Sequence, residues 1–169
     1  KRKDIHLRNE AYYKKLLDNF KDKAYITLAT LDIAKRLREL EKQLAKNLAL
    51  EEAFTESTRT SKVEAQKKEK ERLVEERDFL QRYLNEEKSN IPLAATLSLE
   101  FGNTSVNLYA GMDDAFKRYN APILAWYETA RYAFERGMVW QNLGGVENSL
   151  NGGLYHFKEK FNPTIEEYL

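Results

Sequence analysis

Neither glycine nor proline occurs in the first 90 residues of this 169-residue chain; all seven glycines and all three prolines come after them. Glycine supplies positive φ and proline removes a backbone donor, so together they punctuate a fold. A long stretch without either suits extended helices, and a rear segment that holds every one suits short elements joined by tight turns. The front reads as mostly long helix and the rear as turn-rich. With 42% apolar residues the chain has enough material for one buried core.

Several classes of chemistry drop out. The chain has no cysteine, hence no disulfide framework, thiol nucleophile or thiolate zinc site. Two histidines, His6 and His156, argue against a histidine metal centre. No apolar run approaches the ~18 residues of a membrane-spanning helix, and the N-terminus carries no signal-like stretch. The expectation is a soluble, intracellular protein. Because it starts at Lys1 and stops at Leu169 within an apparent strand, it reads as a piece of something longer.

Charge follows the same division. Residues 1–23 carry eight Lys/Arg against four Asp/Glu, opening with Lys1-Arg2-Lys3. Residues 35–88 hold fourteen positive and thirteen negative side chains, and residues 89–169 hold six and nine. A formal net charge of +1 therefore conceals a basic front end and a mildly acidic rear.

Tyr13, Leu16, Leu17 and Phe20 recur at helical spacing and predict a short amphipathic helix. Tyr25-Ile26-Thr27-Leu28-Ala29-Thr30-Leu31 is β-branched and aromatic, which predicts a strand. Asp32 can cap a helix, and Ile33, Leu37, Leu40 and Leu44 follow at heptad steps. A second helix is expected from Thr60 or Ser61, with Glu64 placed for a capping box. Its seam is Val63, Leu73, Leu80 and Leu84, with Gln66, Lys70 and Arg77 at the intervening positions. Joined through the polar residues 55–59, the pair predicts an antiparallel arm of roughly 30–40 Å. Such an arm is either a charge-laced spacer or dimerisation element, or a surface for a folded RNA. Lys62, Lys67, Lys68, Lys70, Arg72 and Arg77 are the cations available for phosphates, diluted by glutamates.

Beyond Pro92 the period becomes two. Residues 94–101 and 104–110 flank Gly102-Asn103 and predict a β-hairpin. A helix is expected over 122–136, with Ile123, Trp126, Tyr127, Ala130 and Phe134 on its inner side and Gly137 as its stop. A short strand over 138–143, a glycine loop, a short helix over 154–161 and a strand start over 164–169 complete an α/β arrangement.

Trp140-Gln141-Asn142-Leu143-Gly144-Gly145-Val146-Glu147-Asn148-Ser149, then Gly152-Gly153-Leu154-Tyr155-His156-Phe157-Lys158-Glu159-Lys160-Phe161, then Glu166-Glu167-Tyr168-Leu169, resembles the C-terminal signature of the Fem family. Members are aminoacyl-tRNA-dependent transferases that build the peptide cross-bridges of peptidoglycan. Leu108-Tyr109-Ala110-Gly111, Tyr119-Asn120-Ala121-Pro122 and the two-helix arm are similar as well. The resemblance covers essentially the whole chain, most specifically residues 105–169. It looks nearest to the MurM/MurN type, which adds Ser or Ala to the stem-peptide lysine of lipid II.

The resemblance implies an α/β (α+β) fold: a GNAT-like acyltransferase domain over residues 1–34 and 89–169, incomplete at both ends, with an inserted antiparallel two-helix coiled-coil arm over 35–88. It implies the second of two such domains, inactive alone, in a cytoplasmic bacterial enzyme. Its partners would be aminoacyl-tRNA, the peptidoglycan precursor lipid II, the inner membrane face reached through that lipid, and coiled-coil contacts. The alternative is a non-catalytic tRNA-binding or scaffolding module. The glycine pairs make neither GxGxxG nor a P-loop, and the acetyl-CoA pattern of ordinary GNAT enzymes is missing. No cofactor is expected, the aminoacyl-tRNA being a substrate.

An amine attacking an ester makes a tetrahedral oxyanion, so such an enzyme needs alignment and a fixed donor near that oxygen. The resemblance makes Lys158 the catalytic candidate; an exposed, solvated lysine is the competing reading. Phe157 is either core or a stacking surface for the tRNA acceptor end. The family's precursor-contacting Arg and Tyr, four residues apart, fall on Arg8 and Tyr12, with Tyr13 in competition for the second place. Tyr109 matches a functional tyrosine at the end of the hairpin, against a half-buried strand aromatic. Glu166 and Glu167 are exposed-strand glutamates in the plainer reading, His156 is more simply structural, and Ser149 lacks a His/Asp pair.

Overall fold

The computed structural model describes residues 8–84, 89–146 and 151–166. The Lys1-Arg2-Lys3 opening, His6, Ser149 and the expected strand residues Glu167, Tyr168 and Leu169 lie outside them. The elements are α1 (Glu10–Phe20), β1 (Ala24–Asp32), α2 (Ile33–Glu52), α3 (Thr60–Leu84), β2 (Asn90–Phe101), β3 (Thr104–Met112), α4 (Ala121–Glu135), β4 (Trp140–Asn142) and α5 (Gly153–Lys158). The chain divides into two compact units, Thr30–Pro92 and Lys1–Ala29 with Leu93–Leu169. No helix among the described residues is long and apolar enough to cross a membrane.

In the helical unit, the Asp32 side chain caps α2 by accepting from Lys35 N at 2.9 Å, which satisfies a donor the first turn leaves unpaired. Leu37 and Leu40 of α2 and Leu73 and Leu80 of α3 are buried, and the two helices run antiparallel. Two expected seam residues, Val63 and Leu84, are exposed instead. Polar groups take part of the seam. Asn47 is buried and donates to Gln66 O at 3.3 Å, while Gln66 Nε2 donates to Asn47 O at 3.1 Å. Glu76, only 3% exposed, accepts from Arg36 Nε at 2.7 Å and Arg36 Nη2 at 3.0 Å. Geometry of this kind fixes register more than it adds stability.

The other unit is built on a four-stranded sheet in the order β1-β2-β3-β4. β2 and β3 form the predicted hairpin, antiparallel from Phe101↔Thr104 to Ala94↔Met112, and Gly102 takes φ +59 at the turn, the conformation that primed turns require. β4 is parallel to β3 and pairs only with Thr104, Ser105 and Val106. It is shorter than expected because Met138 N donates to Ala133 O and so finishes α4 rather than joining a ladder. The expected strand start at 164–166 has no regular structure.

One face of the sheet carries α1: Leu16, Ala24 and Leu97 are buried together, with Tyr13, Leu17, Leu99 and Tyr109 packed against them. The opposite face carries α4. There Thr96 and Thr129 share a hydrogen bond of 2.6 Å, and Glu100 accepts from Arg136 Nε at 2.9 Å and Nη2 at 3.1 Å. The inner side of α4 differs from the expected one. Ala121, Ala125, Trp126, Thr129 and Ala133 are buried, whereas Tyr127 and Phe134 are exposed. Trp126 is inward as expected, but the rest of the buried side is made of small residues, which let the helix axis approach the sheet closely.

Candidate functional site

Lys158 ends the six-residue helix α5, which starts at Gly153. The side chain is 6% exposed, so the reading as a solvated lysine does not hold; Lys160, two residues on, is exposed. Its Nζ donates to Gly144 O at 2.9 Å and Gly145 O at 2.6 Å, and it lies 5.9 Å from the centre of the Trp126 ring. The loop presents those carbonyls because it turns sharply: Gly144 takes φ +76, and its N–H donates to Asn142 Oδ1 at 2.7 Å. A Cβ at Gly144 would sit 3.6 Å from Lys158 Nζ and 3.8 Å from Asn107 O.

Two consequences follow from that cradle. Of the three ammonium donors two are taken by neutral carbonyls, and among the described residues no carboxylate pairs with the charge. Burial pushes the Lys158 ammonium below the usual lysine range, since desolvation disfavours the charged form. Among the described residues the positive charge is thus enclosed without being neutralised.

Phe157 is half-buried and packs edge-on against Trp126 at 5.1 Å, and Phe161 stacks on Trp126 at 5.9 Å. This aromatic trio fastens α5 to α4, which is how the lysine is held over the indole. A groove of about 400 Å³ beside it is lined by Asn120, Ile123, Leu124, Tyr127, Lys160 and Phe161. His156 sits on the surface with Nδ1 3.2 Å from the Glu159 carboxylate.

Arg8, Tyr12 and Tyr109 come together elsewhere. The Arg8 guanidinium lies 5.5 Å from the centre of the Tyr12 ring, and the Tyr12 and Tyr109 hydroxyls are 3.2 Å apart. Tyr13, the competitor for Tyr12, completes the cluster, its ring edge-on to Tyr12 at 5.6 Å and to Tyr109 at 5.4 Å. The hydrogen bond to Tyr109 holds the Tyr12 hydroxyl above the usual tyrosine range.

The five candidates form two groups on opposite faces of the sheet, and one irregularity explains this. Along β3 the partner of Asn107 is Ser98 and the partner of Tyr109 is Leu97, so Leu108 is an extra residue, a β-bulge. In a regular strand Asn107 and Tyr109 would share a face. The bulge sends Tyr109 to the α1 face with Leu97, while Asn107 stays with Ser98 on the α4 face, its Oδ1 accepting from Ser98 Oγ at 2.7 Å.

Sequence reasoning passed over Trp126, Asn107 and Gln141. Gln141 stands inside the quoted Trp140-Gln141-Asn142 signature, which was the available signal; Asn107 has none beyond its place in a strand. On the helical unit, Lys70 pairs with Glu51, Arg72 with Glu69 and Glu76, and Arg77 with Asp78. Three of the six cations offered for phosphates are therefore engaged. Among the described residues no cluster of three His, Asp or Glu side chains is placed to hold a metal ion.

The sequence matches the FemAB family over residues 1–169. The chain belongs to the FemAB family. This FemAB chain is also similar to the crystal structure of FemX, with a TM-score of 0.63 at 20% sequence identity. The match covers 93% of the present chain and 43% of FemX, so the chain spans less than half of that protein's length. At that identity the likeness concerns the fold, a mixed α/β arrangement. No match is found among curated protein sequences.

Proposed function

We propose that this chain is part of an aminoacyltransferase that joins an amino acid, Ser or Ala, from aminoacyl-tRNA to the stem-peptide lysine amine of a peptidoglycan precursor, lipid II. In this reading residues 1–34 and 89–169 form a GNAT-like acyltransferase domain, and residues 35–88 are its inserted coiled-coil arm. The protein works on the cytoplasmic side of a bacterial membrane, which it touches through the lipid of its substrate. Family membership supports the class of reaction.

The observation that carries the chemistry is the enclosed Lys158 ammonium with one donor left unassigned by the glycine loop. When the acceptor amine attacks the ester carbonyl, a C–N bond forms and charge develops on the carbonyl oxygen. A preorganised cation in a site shielded from water stabilises that oxygen at little reorganisation cost. Collapse breaks the C–O bond to the ribose; the ribose oxygen takes a proton and the amine loses one. Lys158, acidified by burial, is suited to supply the ribose proton and recover it from the amine. Arg8, Tyr12 and Tyr109 would then hold the precursor, and Phe157 would keep Lys158 in place.

The test is single-turnover transfer from Ser-tRNA and Ala-tRNA to lipid II by the full-length polypeptide that carries this chain. Lys158→Ala should slow the transfer step by about 10²–10³-fold while aminoacyl-tRNA binding stays unchanged and the variant remains folded at the assay temperature. Wild-type turnover in that variant would remove the proposal.

A further inference from the structure

The Gly144–Gly145 cradle hangs from a very short strand. β4 has three residues, of which Trp140 and Asn142 are exposed, and it pairs with only three residues of β3. So brief a parallel ladder at a sheet edge is a weak anchor. Its first residue is tied to the hairpin turn through Trp140 N to Asn103 O at 3.2 Å, and its middle residue makes a side-chain attachment nearer the loop: Gln141 Nε2 donates to Asn107 Oδ1 at 3.0 Å, on the same oxygen that accepts from Ser98 Oγ. Asn107 is 8% exposed and Ser98 fully buried. The main chain of Asn107 also borders Gly144, whose missing Cβ leaves room between Asn107 O and Lys158 Nζ.

A second observation bears on the same two amides. Asn107 Nδ2 and Gln141 Oε1 are both buried with no hydrogen-bond partner among the described residues. Leaving a buried donor and acceptor unpaired lowers stability, and apolar side chains of similar shape would fill the space at less cost. A polar pair kept at a cost in stability is expected where orientation matters more than packing.

We propose that Asn107 is a positioning residue for Lys158: through Gln141 it fixes the end of β4, and with it the two carbonyls that hold the ammonium. The proposal rests on the catalytic reading of Lys158. The chain of contact runs Ser98, Asn107, Gln141, then Asn142, whose side chain shapes the turn at Gly144, and finally Lys158. Among the described residues the groups facing Nζ are Trp126, Gly144 and Gly145, none of them charged, so a change in its titration when the polar path is removed reports the enclosure by this cradle.

The experiment measures the Lys158 side-chain titration by NMR in this chain with isotope-labelled lysine, assigned by Lys158→Met, alongside thermal unfolding. The variant set Ser98→Ala with Asn107→Leu and Gln141→Met replaces the polar path by apolar groups. It should unfold at the wild-type temperature or above, while Lys158 titrates higher, near the ordinary lysine value of about 10.4, because the loosened loop lets water reach it. A folded set in which Lys158 titrates as in the wild type overturns the proposal. Should the set not fold, Gln141→Met alone, which keeps the buried Ser98–Asn107 bond, is read by the same two outcomes. No activity is needed for this readout. Lys158→Ala with full turnover would remove the catalytic reading while leaving the titration result standing, and an unchanged titration would remove only the positioning role.

Discussion

Two buried charges of opposite sign show how differently one chain treats ionised groups. The difference lies between sites and not between units, since Glu100 in the sheet unit is gripped by Arg136 much as Glu76 is by Arg36. Glu76 in the helical unit is met by the forked guanidinium of Arg36 at 2.7 and 3.0 Å and by Arg72 Nη1 at 3.3 Å. Lys158 in the sheet unit is met, among the described residues, by carbonyl oxygens and an indole. The first charge is neutralised by its partners, so its field is spent on holding two helices in register. The second keeps its field. Burial by itself therefore does not mark a functional group; the role proposed for Lys158 rests on burial without a counter-charge among the described residues.

The sharpest way to break this contrast is to remove each charge in turn. Lys158→Ala is expected to lower single-turnover transfer by about 10²–10³-fold, whereas Glu76→Ala should leave transfer unchanged at any temperature where that variant is folded. Equal losses in the two folded variants would erase the distinction.

Stability should respond in the reverse order. Glu76→Ala removes the forked partner of Arg36, which keeps Glu39 at 3.5 Å, and urea unfolding should report a loss of about 1–3 kcal/mol. Arg36→Met combined with Glu76→Leu should recover most of it. A loss of similar size in the double variant would mean that the pair supplies net stability rather than register.

A smaller effect appears in pH dependence. Because the folded-state pKa of Lys158 is lowered, the unfolded chain binds more protons than the folded one between that lowered value and the ordinary lysine value of about 10.4. The contribution of Lys158 to stability thus rises with pH through this window. Lys158→Met should flatten that rise in urea midpoints measured across it. Tyr25, whose pKa burial raises, acts with the opposite sign above about pH 10, so Tyr25→Phe is the proper background for the comparison.

The smallest effect is expected at Asn47, whose Oδ1 is buried without a partner among the described residues. Asn47→Leu should change stability by less than about 1 kcal/mol yet relax the register of α2 against α3. The cysteine-free chain makes this readable by disulfide trapping between pairs of introduced cysteines along the helices. Crosslinking confined to one register in the variant would show that the asparagine does not specify it.

Much of the fold was legible because it is written in local chemistry. The glycine and proline partition, the Gly102-Asn103 turn and the Asp32 cap each act within a few residues, and each stands where expected. What escaped depends on partners distant in sequence. Glu76 looks like one more charge in a charged helix until Arg36, forty residues earlier, is placed beside it. The inner side of α4 was misjudged because hydrophobic bulk is a poor guide where a helix needs small residues to approach a sheet. In the candidate site, Lys158 was found through its motif, but its enclosure was not readable from Glu159 and Lys160, which are exposed. Asn107 was missed because nothing local separates it from any polar strand residue.

The extra residue at Leu108 bears on how length differences in this strand should be read. Two neighbouring stretches of β3 meet there out of phase by one. A chain lacking only that position would regain strict alternation and still keep Asn107 and Tyr109 on their present sides. A single residue inserted or deleted between the turn and Asn107 would transpose the two sides instead, carrying tyrosine chemistry to the lysine and polar chemistry to the tyrosines. Position 108 is therefore the joint at which natural variation in the length of this strand is tolerable, and the stretch between the turn and Asn107 is where it is not.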